Sequence, residues 1–150
     1  MTQEALLAYA HLLAIFTMIV FLTSEAALCR PEWFNATIVE RLAKIDMVYG
    51  ISAVAVLATG LARIFLGAKG AAYYGHNPLL YTKVGLFALI GLLSISPTIS
   101  FIRWRRAYRA SGELPAEAEI KRVRKLVMAQ AHIIPVVPLA AVFLARGYGA

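Results

Sequence analysis

The chain has 150 residues, of which 61% are hydrophobic and only 15% charged, with a formal net charge of +7. Soluble domains carry roughly 25% charged residues, so this composition, with a mean hydropathy of +0.71, excludes an ordinary water-soluble globule and indicates a membrane protein. Its cations lie at the ends of apolar runs, so nucleic acid is not an expected partner, and the expected solvent is the lipid bilayer.

Four apolar runs follow one another at 5–29, 42–66, 79–101 and 127–144. A helix needs about 20 apolar residues to cross the hydrocarbon core, and the first three meet this length. The fourth contains Pro135 and Pro138 and is expected to span with a kink, because each ring removes a backbone donor. No Lys or Arg precedes Arg30, and the first run is long, so it is expected to remain as a span rather than be cleaved as a signal. Cys29 is the only cysteine, which leaves no intrachain disulfide and no cysteine-built zinc site. The expected fold class is all-α, a four-helix transmembrane bundle in one domain spanning 1–150. Such a bundle has surface for pairing with a second copy.

Lysine and arginine placement orients the spans. The connection after the third run holds Arg103, Arg105, Arg106, Arg109, Lys121, Arg122, Arg124 and Lys125, and the first adds Arg30, Arg41 and Lys44. The opposite side has Arg63, Lys69, Lys83 and Arg146. The positive-inside rule then puts these two connections in the cytoplasm and both termini outside, in a bacterial inner membrane. The "RWRRAYR" run also suits anionic lipid headgroups. On the outer side, "KGAAYYGHNPLLYTK" reads as a cationic, aromatic lid. Gly70 and Gly75 allow turns, Asn77 is a cap, and Pro78 occupies the first turn of the third helix.

Ionisable groups inside a bilayer are costly and usually face the bundle interior. His11, Met18 and Glu25 recur at seven-residue steps on the first helix and so share a face. The same reasoning aligns Asp46, Gly50, Ala53 and Gly60 on the second, Lys83, Phe87, Ile90, Ser94 and Pro97 on the third, and His132, Leu139 and Arg146 on the fourth. Because helix directions alternate, the polar ends sort into two layers. The outer contains His11, Arg63, Lys83 and Arg146 beneath Lys69, Tyr73, Tyr74, His76 and Asn77. The inner contains Glu25, Asp46 and His132 near Arg30, Arg41 and Lys44.

Each layer admits two readings. The inner residues either form ion pairs that tie helix ends together or serve as a proton relay or metal site of a small transporter. The outer cations have little acid nearby. They either snorkel to lipid phosphate or pair with the acid groups of a planar cofactor whose metal takes His11. His11 and His132 lie at opposite ends and are not expected to share one iron.

The run from "RLAKIDMVYG" to "SFIRWRR", with the later "ARGYG", resembles an uncharacterised family of predicted bacterial inner-membrane proteins. More distantly, "AHLLAIF" with His11 and "LLYTK" with Lys83 resemble the four-helix membrane protoporphyrinogen oxidases, which bind haem b and in which the corresponding histidine and lysine are functional. That resemblance implies haem b or a related porphyrin, a membrane oxidoreductase linked to quinone or porphyrinogen, His11 as metal ligand and Lys83 as catalytic residue. Where that family has a further histidine in its third helix this chain reads "GLLSISPTIS", and where it has an acid before a proline this chain reads "AQAHIIP".

Overall fold

The computed structural model describes residues 2–67 and 70–148, the side chains of Gly70, Tyr73 and Tyr74 excepted. The described chain is helical, without strands. It runs through α1 (Thr2–Leu28), a single 3-10 turn at Pro31–Trp33, α2 (Ala36–Leu66), the short α3 (Gly70–Gly75), α4 (Pro78–Ser111), α5 (Glu117–Ile133) and α6 (Val136–Ala145). Four segments, Thr2–Leu28, Ala36–Leu66, Pro78–Ser111 and Glu117–Ala145, are long and apolar enough to cross a membrane. The fold is the expected four-helix transmembrane bundle.

Antiparallel α1 and α2 form the most extensive packing pair, α4 lies against α2, α5 and α6, and α5 returns to α1. This closes a ring around a core that includes Leu22, Leu42, Phe101, Val123 and Val127. Near the cationic end Trp104 meets Phe34 and Phe101 edge to face, at ring-centroid distances of 5.4 and 5.6 Å. The outer surface is apolar: Phe16, Val54, Phe65 and Leu92 are all more than half exposed. An apolar surface of this extent needs a non-aqueous partner, and a spanning bundle meets the lipid bilayer there.

The helices outrun the apolar segments at the cationic end. Asn35 caps α2 by accepting from the Ile38 amide at 3.0 Å, so the helix begins at Ala36 rather than near residue 42. α4 continues past Phe101 to Ser111 and stops where Gly112 takes φ 72°, the left-handed geometry that suits glycine. Hydropathy marks only the part of a helix in lipid. Its charged extension is stable because Glu and Arg are good helix formers and pair across helices, Arg109 with Glu40 at 2.6 Å and Arg103 with Glu119.

At the opposite end Asn77 caps α4 by accepting from the Leu79 amide at 2.9 Å, with Pro78 in its first turn, as the sequence suggests. The segment between Gly70 and Gly75 is a single short helix rather than a pair of turns. The fourth span is interrupted at Ile134–Pro135, between α5 and α6, by a single turn whose two residues keep right-handed helical angles (φ −58°, ψ −37° and φ −65°, ψ −21°), the local irregularity expected where Pro135 and Pro138 withdraw two donors.

Leu22 is wholly buried. Leu22→Ala should lower the unfolding free energy by about 2–5 kcal/mol, whereas Leu92→Ala on the lipid-facing surface should change it by less than about 0.5 kcal/mol. Chemical unfolding in detergent reads both, and equal effects would place the core elsewhere.

Candidate functional site

The polar groups of the spans gather at two levels of the α1–α2 seam. At the first, His11 is only 4% exposed. Its Nδ1 lies 2.8 Å from Thr59 Oγ1, and that hydroxyl is 2.6 Å from the Ala55 carbonyl. A hydroxyl has one hydrogen; Ala55 O takes it, so Thr59 Oγ1 accepts from His11 Nδ1–H. The network thus assigns the tautomer and leaves Nε2 with the lone pair. The Val56 carbonyl also lies within reach of the ring. The atoms there that are both sealed and unpartnered are Glu25 Oε1 and Trp104 Nε1, and His11 Nε2 is not one of them.

Gly60 makes room for the ring: a Cβ at that position would stand 3.2 Å from His11 Cε1. Lys83 and Arg63 are the neighbouring cations whose fields reach His11, and the Arg63 charge also reaches Lys83. Neither makes a salt bridge among the described residues. The structure therefore brings together three of the expected outer residues, His11, Arg63 and Lys83. Arg146 is exposed at the end of α6. Lys69 and the Tyr74 side chain, the remaining expected anion partners, lie outside the described residues. Asn77, buried, donates to the Tyr148 carbonyl at 3.2 Å and so ties the start of α4 to the end of the chain beyond α6.

At the second level Glu25 is 1% and Asp46 5% exposed, and Asp46 is the charge that Glu25 feels. Thr98 donates to Asp46 Oδ1 at 2.9 Å, and Tyr49 donates to Gln130 Oε1 at 2.8 Å. α1, α2, α4 and α5 each contribute a polar group to this level. The reading of Glu25 and Asp46 as ion-paired is overturned. The salt bridges among the described residues join Arg103–Glu119, Arg109–Glu40 and Lys121–Glu117, all in the charged helix extensions or connections. Arg30 instead lies over the Trp33 ring, 5.0 Å from its centroid.

His132 does not join this layer. It is exposed, its Nδ1 donates to the Met128 carbonyl at 2.6 Å, and Leu139 and Arg146 on the same stripe are exposed too. Gln130, wholly buried, faces the core in its place. Gly50 likewise faces outward, with Tyr49 and Ser52 inside. The expected grouping of two acids with His132 as metal ligands is not formed, and no cluster of three His, Cys, Asp or Glu able to hold a metal occurs among the described residues.

A family model described as a predicted membrane protein (DUF2214) matches residues 3–149, nearly the whole chain. The chain belongs to that family. No curated protein and no solved structure matches. Among DUF2214 features, the four spans and the two-level seam described above are therefore read from this chain's own residues.

Thr59 fixes the imidazole by accepting from Nδ1. Thr59→Val should free it, and the imidazole nitrogens in a ¹⁵N spectrum should change from a single Nδ1–H tautomer to a mixture. An unchanged tautomer would mean that another group holds the ring.

Proposed function

We propose that this integral membrane protein holds haem b, or a related carboxylate-bearing porphyrin, at its His11 end. His11 Nε2 is the metal ligand in this reading, and Lys83 and Arg63 are the partners of the porphyrin's acid groups. The carrying observation is the His11 imidazole itself, buried with its Nδ1 spent on Thr59, beside two cations that make no salt bridge among the described residues.

The residues fit such a group chemically. A metal-binding histidine takes the neutral form, with its second nitrogen donating to a neighbour that sets the ring's orientation, and Thr59 fills that role. Half-buried Lys83 and exposed Arg63 make no salt bridge among the described residues, and such cations suit an anionic occupant. His11 and Lys83, on which the resemblance to the membrane protoporphyrinogen oxidases rests, are 72 positions apart in sequence, yet the Lys83 charge reaches the His11 imidazole.

Bound haem supplies one-electron chemistry at its iron. The chain's own residues contribute the rest: Thr59 and Gly60 hold the imidazole in place, Lys83 and Arg63 anchor the acid edge, and the apolar wall of α1 excludes water. A membrane oxidoreductase acting on quinone or porphyrinogen is the activity that such a site would serve.

The detergent-purified protein, with haem added, should show a Soret band and reducible visible bands that are lost in His11→Ala. Lys83→Gln or Arg63→Gln should retain the band but bind about tenfold to a hundredfold more weakly, as for one charge-assisted hydrogen bond of about 1.5–3 kcal/mol. A folded wild-type protein that takes up no haem, or whose spectrum is indifferent to His11, overturns the reading.

A further inference from the structure

The Glu25–Asp46 level is unused by the site above. It lies about 21 Å from His11 along α1, at 1.5 Å per residue. Among the described residues its hydrogen bonds from side chains all bypass Glu25. Thr98 gives its hydrogen to Asp46 Oδ1, Tyr49 to Gln130 Oε1, Ser52 to the Val48 carbonyl, and Gln130 Nε2 to the Leu126 carbonyl at 3.3 Å. The Glu25 carboxyl group receives no hydrogen bond among the described residues, and its Oε1 is sealed from solvent without a partner. An ionised carboxylate in that condition has neither water, donor nor counter-ion, the costliest state available to it.

The surrounding charges do not relieve this. From α2 the facing titratable groups are Asp46, whose charge reaches Glu25, and Tyr49, which the Glu25 charge reaches in turn; neither is a cation. From α4 and α5 the facing polar groups are Thr98 and Gln130, which are neutral. Arg124 of α5 reaches the end of α1, but its guanidinium donates to the Ala26 and Cys29 carbonyls at 2.7 and 3.1 Å and makes no salt bridge with Glu25. Two acids thus face each other across the seam with one missing positive charge between them.

We propose that Glu25 and Asp46 share one exchangeable proton, taken up from water at the cationic end of the bundle. A carboxylic acid on Glu25 supplies the hydrogen that no neighbour gives, and the Asp46 carboxylate, already fixed by Thr98, accepts it. The step is a plain protonation, with hydronium giving its proton to a carboxylate and leaving water. A metal cation fits less well: hard cations take six or more oxygen ligands, whereas the hydroxyls and the amide here are engaged with one another. The exit is short, since Glu25 stands three residues before the end of α1, about 4.5 Å along its axis. Beyond it lie Cys29, the exposed Arg30 and the cationic connections. An exchangeable proton held between all four spans makes the packing of the bundle responsive to proton supply.

Infrared difference spectroscopy on the full chain in lipid tests this without reference to haem. At neutral pH in a sodium-free choline buffer the wild-type protein should show one carboxylic-acid C=O band per chain that shifts when H₂O is replaced by D₂O. Glu25→Gln should abolish it while leaving the melting temperature unchanged or higher, because the amide is neutral. Asp46→Asn should keep the band but move it to higher frequency, as the acid loses its acceptor. Absence of the band in folded wild-type protein overturns the proposal, as does a band that never exchanges in D₂O. A band that disappears on adding sodium would assign the site to a metal cation instead.

Discussion

The hydrocarbon interior offers no water to a polar side chain, and the whole arrangement depends on how the chain meets that condition. Every histidine, acid and amide within a span must find its partner inside the protein. In this bundle the partners are found along the α1–α2 seam. His11 meets Thr59, and Glu25 meets Asp46, and the residue numbers in each facing pair add to the same total within one. A single antiparallel register therefore sets both polar levels at once. The small residue Gly60 permits the close approach at His11, while Leu22 and Leu42 fill the apolar stretch near Glu25 and Asp46.

The two levels are opposite in chemistry because of what lies nearby. At the His11 end, cations collect without acids. At the cationic end, acids collect inside the bundle while the basic residues remain outside it. The salt bridges form where water is available, Glu40 with Arg109 and Glu119 with Arg103, and such exposed pairs contribute little stability each. The buried acids have no such pairing. A sealed carboxylate beside another is a poor structural element, so its retention in the core is better understood as a proton-handling site than as a fastening of helix ends.

Much of this was legible in the residues. The seven-residue repeat of His11, Met18 and Glu25 faces the core, and Asn77 and Pro78 open α4 as their chemistry demands. The failures have identifiable causes. On the fourth span the spacing of His132, Leu139 and Arg146 defines a stripe but not the direction it faces, and Gln130, two residues before His132 and so on a different face of α5, is the one turned inward. Gly50 looked inward by its size alone, yet Tyr49 beside it carries both the bulk and the hydrogen-bonding group that the core needs. Thr59, Thr98 and Gln130 were passed over because neutral polar residues leave no trace in charge bookkeeping. A signal existed for Tyr49, three residues past Asp46 on the same face. The family match extends the reading to the membrane assignment and stops there, so the sites rest on geometry.

Double-mutant cycles on unfolding free energy offer the most direct check that two separate polar levels exist on one seam. Glu25→Gln and Asp46→Asn, singly and together, should be non-additive by at least about 0.5 kcal/mol, as expected of groups in contact. Glu25→Gln combined with His11→Ala should add within about 0.3–0.5 kcal/mol, as expected for sites far apart. Additivity at the acid pair, or strong coupling between Glu25 and His11, would mean that the polar residues of α1 and α2 are not arranged in these two levels.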